Sequence, residues 1–134
     1  NRRRGAAPVI PASFLPPSYW ATLAAFASAS GVPPDNIVYP NEQQRGYASA
    51  IGLRRALTGA DDYQYVRRNE GGTYSTLEHL ANAEATNRAT SRINSCIRAF
   101  VGNELPADFI AALCEVIGDL HDNVWAHGRA SGFS

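Results

Sequence analysis

The sequence predicts an α/β fold, on three observations. Short extended segments alternate with helical ones over residues 1–58, prolines and glycines punctuate each change, and two long amphipathic periods fill the final third. At 134 residues the chain holds one domain's worth of core, taking about 150 residues per domain.

Residues 1–8 read as a disordered arm. Val9 to Leu15 reads as an extended segment ended by Pro16-Pro17, because proline forces the residue before it out of the helical region. Ser18 stands where a helix cap is expected. From Tyr19 to Ser30, Trp20, Leu23, Ala24 and Ala27 follow helical spacing, and Gly31 supplies a left-handed stop. Pro33-Pro34-Asp35 reads as a turn and Asn36 to Tyr39 as a brief strand ended by Pro40. A second helix is expected over Glu42 to Leu57, with Tyr47, Ile51 and Leu57 on one side and Gly59 beyond its end.

Residues 59–76 change character. Tyr63, Tyr65 and Val66 alternate as a strand would, while Asn69 and Gly71-Gly72 mark a loop, so this stretch reads as a linker between a region at 1–58 and one at 77–134. In the latter, Ala85, Ala89, Ile93, Ile97 and Phe100 lie on one stripe of a helix over Glu84 to Phe100, with Arg88, Arg92 and Arg98 outside it. Pro106 and Asp108 then open a helix that should run to about His127, before Gly128.

Composition bounds the function. Formal net charge is zero and charged residues make up 18% of the chain, which argues against nucleic acid or a membrane surface as partner. No run approaches the roughly eighteen apolar residues of a membrane span. The chain has no methionine and opens on Asn1 and three arginines with no apolar signal core behind them, so the expectation is a piece of a longer cytoplasmic polypeptide. Cys96 and Cys114 lack the spacing of a disulfide framework or a zinc site and are expected to be buried thiols.

The last helix carries the chemistry. Projected at about 100° per residue, its apolar stripe centres about 110° from Asp119, with Asn123 beside Asp119 on one flank. Asp119 and Asn123 are one turn apart. A carboxylate there can act as a base toward water, and the amide oxygen is a hard ligand suited to magnesium, which keeps several waters and few protein ligands. Spacing alone equally describes two solvated residues at the edge of an amphipathic helix.

Gly118-Asp119-Leu120-His121-Asp122-Asn123-Val124-Trp125-Ala126-His127-Gly128 resembles the N-box, the first ATP-site motif of the GHKL ATPase superfamily, which includes gyrase, heat-shock chaperones and histidine kinases. The resemblance implies that Asn123 holds magnesium on the nucleotide phosphates, that Asp119 is the water-activating base of members that hydrolyse ATP, and that His127 is the histidine often found four positions on. The usual acid is glutamate, so Asp119 falls short by one methylene. Asn94-Ser95-Cys96-Ile97-Arg98 and Ser131-Gly132-Phe133-Ser134 are similar to segments of bacterial ATP-binding proteins of this kind.

Phe14-Leu15-Pro16-Pro17 before a helix is similar to the strand-to-helix step of STAS domains, although neither Ser13 nor Ser18 follows the aspartate that usually precedes the phosphorylated serine there. Together these imply a STAS-like α/β region at 1–58 and, at 77–134, the first helices of an incomplete GHKL α/β sandwich. The implied activity is that of a bacterial regulatory ATPase or protein kinase-like switch. The aspartate-glycine motif that reads adenine and the glycine-rich lid are absent from these residues, so tight ATP binding is not expected of them alone.

Other readings are weaker or differ in class. His121 and His127 are six residues apart and fall on different helix faces, against a metal site. Arg54-Arg55 and Arg67-Arg68 could meet phosphate or acidic partners, or be solvated surface. The rival class is a non-enzymatic module that binds another protein through Tyr63, Tyr65 and Tyr74. Self-association is expected if the two long helices lack the sheet that they would cover in the ATPase fold.

Overall fold

The computed structural model describes residues 7–68, 70 and 74–128, without the side chains of Trp125 and His127. The expected arm at residues 1–6, the Asn69 and Gly71-Gly72 loop signals and the 131–134 segment lie outside the described residues. The chain divides into two compact units that meet in sequence at Val66 and Arg67.

The α/β expectation is overturned, because the protein is mostly helical with no sheet among the described residues. The two expected strands do find each other, but only as a single parallel bridge between Val9 and Val38. The Ile10 N–H donates to the Val38 carbonyl at 2.8 Å and the Val38 N–H to the Pro8 carbonyl at 3.0 Å. Pro8, Pro11 and Pro40 lack N–H donors, so no ladder extends past this bridge. Among the described residues there is neither the STAS-like α/β region nor a GHKL α/β sandwich.

Helix α1, Pro17–Ser30, opens on Pro17 with Pro16 extended before it, so the expected cap Ser18 lies inside the first turn instead. Pro17 suits this place because its missing N–H would have had no helical acceptor. The helix stops at Gly31, whose φ of 65° is left-handed and whose N–H closes on the Ala27 and Ser28 carbonyls. Its buried face is Trp20, Leu23, Ala24 and Ala27, and with Ile10, Leu15, Val32, Ile37, Ala48 and Leu53 it makes the core of the first unit.

The expected single helix over Glu42 to Leu57 is two helices, α2 (Glu42–Ala50) and α3 (Leu53–Thr58). They part at Gly52, whose φ of 78° no helix can include. Asn41 caps α2, accepting from the Gln44 N–H at 2.9 Å. Ala48 and Leu53 are buried, while Tyr47 is 44% exposed. Helix α3 packs against both α1 and α2.

In the second unit, α4 (Ala83–Val101) and α5 (Ala107–Gly128) pack against each other. Asn82 caps α4 through the Ala85 N–H at 2.9 Å. Phe100, placed on the inner stripe by its spacing, is 75% exposed. Of the two cysteines, Cys114 is buried as expected and Cys96 only half-buried; both are free thiols. None of the described helices is long and apolar enough to cross a membrane.

Candidate functional site

Helix α5 is rolled relative to its expected orientation. Its buried residues are Ile110, Cys114 and His121, a face roughly 90° around the helix from the predicted stripe. Small and polar groups share this contact with Ile110. A Cβ at Gly118 would meet the Thr90 Cγ2 of α4 at 3.8 Å, and the Thr90 hydroxyl lies 2.8 Å from His121 Nδ1 while also donating to the Thr86 carbonyl at 2.9 Å. Thr86 and Ala89 are fully buried beneath them.

Val116, Leu120 and Val124 therefore face outward, 54%, 57% and 36% exposed, with Phe109 on the same side. Asp119 and Asn123 flank this open stripe. Both are exposed, and neither makes a side-chain hydrogen bond or ion pair among the described residues. At i and i+4 on a helix their Cβ atoms stand roughly 6 Å apart. The Asn123 amide oxygen is thus open to a magnesium ion carrying waters and phosphate oxygens. No group of three potential metal-ligating side chains occurs among the described residues. The side chain of His127 lies outside the described residues.

The acids of α5 share one side. Asp108, Glu115, Asp119 and Asp122 are all exposed, lying within about 60° of one another along the flank of the stripe. His121, by contrast, is turned inward, and burial lowers its pKa below the ordinary value of 6.5 against the opposing pull of Asp122. It is neutral within the fold near pH 7.

The Arg54-Arg55 pair resolves differently from a phosphate site. Arg54 pairs with Asp35 and Asp62, and Arg55 lies 3.9 Å from Asp61. Asp62 also accepts from the Ser49 hydroxyl at 3.0 Å. Nearby, burial raises the Tyr39 pKa, with Arg45, 5.1 Å from the ring centroid, acting the other way. Acids within the chain already answer Arg54 and Arg55, a pairing that dipeptide spacing could not show.

Sequence reasoning missed a cleft of about 250 Å³ between the Ala12–Leu15 segment and the start of α2, with Trp20 and Tyr47 in its wall. Tyr47 also borders a more open cleft of about 680 Å³ that includes Tyr63 and Tyr65, whose rings meet edge-on with centroids 5.6 Å apart. The only sequence signal was the density of aromatic and amide residues. Comparison of the chain with family models, with curated proteins and with solved structures finds no match.

Proposed function

We propose that α5 is the magnesium-nucleotide helix of a bacterial GHKL-type ATP-binding regulatory protein, an ATPase or kinase-like switch, and that residues 1–134 hold only part of its ATP site. One observation carries this reading. Asp119 and Asn123 stand exposed, uncommitted and one turn apart beside an apolar stripe that the α4–α5 contact leaves open. The inward face of α5 carries Ile110, Cys114 and His121, while Val116, Leu120 and Val124 stay outside it. The N-box resemblance over 118–128 supplies the identity of the ligand. In this reading Asn123 would hold magnesium against the phosphates, Asp119 would orient or deprotonate the attacking water, and the open stripe is a surface for the remainder of the site.

The test is calorimetric titration of magnesium-ATP into the longest natural chain that contains these residues. Saturable heat is expected, and Asp119→Asn should retain it while lowering any hydrolysis by on the order of 10²–10⁴. No heat of binding would overturn the proposal in favour of a protein-binding module.

A further inference from the structure

The wider cleft of the first unit, about 680 Å³, is floored by α2 and walled by residues 62–65. Gly46 lies in that floor, inside α2, and its backbone is not left-handed. Glycine weakens a helix interior and is kept where a left-handed turn or a close approach requires it. Neither reason applies within this fold, because a Cβ at Gly46 would meet nothing within 4 Å. The close approach that the bare backbone permits is one from the cleft.

The lining narrows what approaches. Its three aromatic side chains, Tyr47, Tyr63 and Tyr65, all carry hydroxyls, and no Leu, Ile, Val, Met, Phe or Trp joins them. An acyl chain or an apolar peptide anchor would find too little to pack against. The charges are answered from within: Arg45 pairs with Glu42 at 3.4 Å, and Asp62 with Arg54 at 3.4 Å and with the Ser49 hydroxyl at 3.0 Å. That leaves the Gln43 and Gln64 amides and the Tyr47 and Tyr65 hydroxyls, which make no hydrogen bond among the described residues. Each of these groups both donates and accepts. Sugar hydroxyls do the same, and a pyranose with equatorial hydroxyls turns C–H faces toward aromatic rings while its edge meets amides. A nucleobase gathers its few polar atoms on one edge, whereas the open groups here are spread over both α2 and the 62–65 segment. The rings on both sides are braced: Tyr47 rests on the buried Trp20, centroids 5.5 Å apart, and Tyr63 meets Tyr65 edge-on at 5.6 Å.

We propose that the Tyr47–Tyr65 cleft binds a neutral oligosaccharide of equatorially hydroxylated pyranose units, lying across Gly46. This site is independent of the nucleotide reading of α5.

The experiment follows the Gly46 backbone amide and the Gln43 and Gln64 side-chain amides of the ¹⁵N-labelled chain during titration with cellohexaose. Adenosine and a glycine-serine decapeptide are the controls. Saturable shifts are expected with cellohexaose only. Gly46→Gln should abolish the shifts at Gln43 and Gln64 while keeping or raising the denaturation midpoint, because glutamine is the better helix former and enters open space. Tyr65→Ala should weaken binding about tenfold; Tyr65 is 76% exposed, so its removal does not threaten the fold. The proposal is overturned by the absence of a saturable shift with cellohexaose, by an equal response to either control, or by wild-type affinity in either variant.

Discussion

The two units of the chain use similar helices to opposite ends. The first encloses its largest apolar residue: Trp20 is fully buried, sits 5.5 Å from the Tyr47 ring centroid, and gathers Ile10, Leu23, Ile37 and Leu53 into one core. The second buries Leu77, Leu80 and Ile110 together with threonine, alanine, cysteine and histidine, and leaves Phe100, Phe109, Val116 and Leu120 more than half exposed. The contrast separates apolar residues that make a fold from apolar residues held in reserve for contact. Under the proposed reading, this open stripe beside Asp119 and Asn123 is the binding surface.

The sharpest break in this comparison is Trp20→Ala. Truncating a buried aromatic typically costs about 3–5 kcal/mol, and chemical denaturation should show the first unit lost outright. An effect below about 1 kcal/mol would mean that its core does not centre on the indole. In the second unit the corresponding test is Thr90→Val, which keeps the shape but removes the hydroxyl facing His121. Leaving a buried ring nitrogen unpaired should cost about 1–3 kcal/mol; an unchanged denaturation midpoint would show that the α4–α5 seam does not depend on this contact.

The same histidine makes that unit sensitive to acid. Because the folded pKa of His121 lies below its unfolded value of 6.5, the unfolded chain binds the proton more readily. Its contribution is full above about pH 6.5 and is lost as pH falls through that value toward the folded pKa. Helical circular dichroism across denaturant at pH 7.5 and 5.5 should show the loss in the wild type and a smaller one in His121→Gln. Equal losses would assign the pH dependence elsewhere.

Much of the helix content was legible in the sequence, and the reasons are local. Gly31 and Gly59 end helices where a left-handed residue was expected, and Pro106 precedes α5 as a first-turn signal should. What could not be read is what depends on competition between surfaces. The Val9 and Asn36–Tyr39 segments looked like strands, yet the prolines around them stop pairing after one bridge. Gly52 looked like an interior helix residue and proved to be a break. For α5 the spacing identified the apolar stripe and the Asp119–Asn123 flank, but hydropathy cannot tell which face a neighbouring helix will choose. The face turned to α4 carries Ile110, Cys114 and His121, with Gly118 opposite Thr90.

A finer test of the comparison lies at the open stripe itself. Leu120→Ser should change stability by less than about 0.5 kcal/mol, as exposed positions do, while reducing any concentration-dependent self-association seen in sedimentation velocity. A destabilisation of about 2 kcal/mol or more would show Leu120 to be part of a core instead.

The central claim, that the exposed flank of α5 holds a magnesium-nucleotide, rests most directly on Asn123→Ala. Calorimetry of magnesium-ATP with the longest natural chain should show binding in the wild type and none in this variant, because the substitution removes the amide oxygen from beside the phosphates while touching no buried contact. Wild-type affinity in Asn123→Ala would contradict the role assigned to this helix.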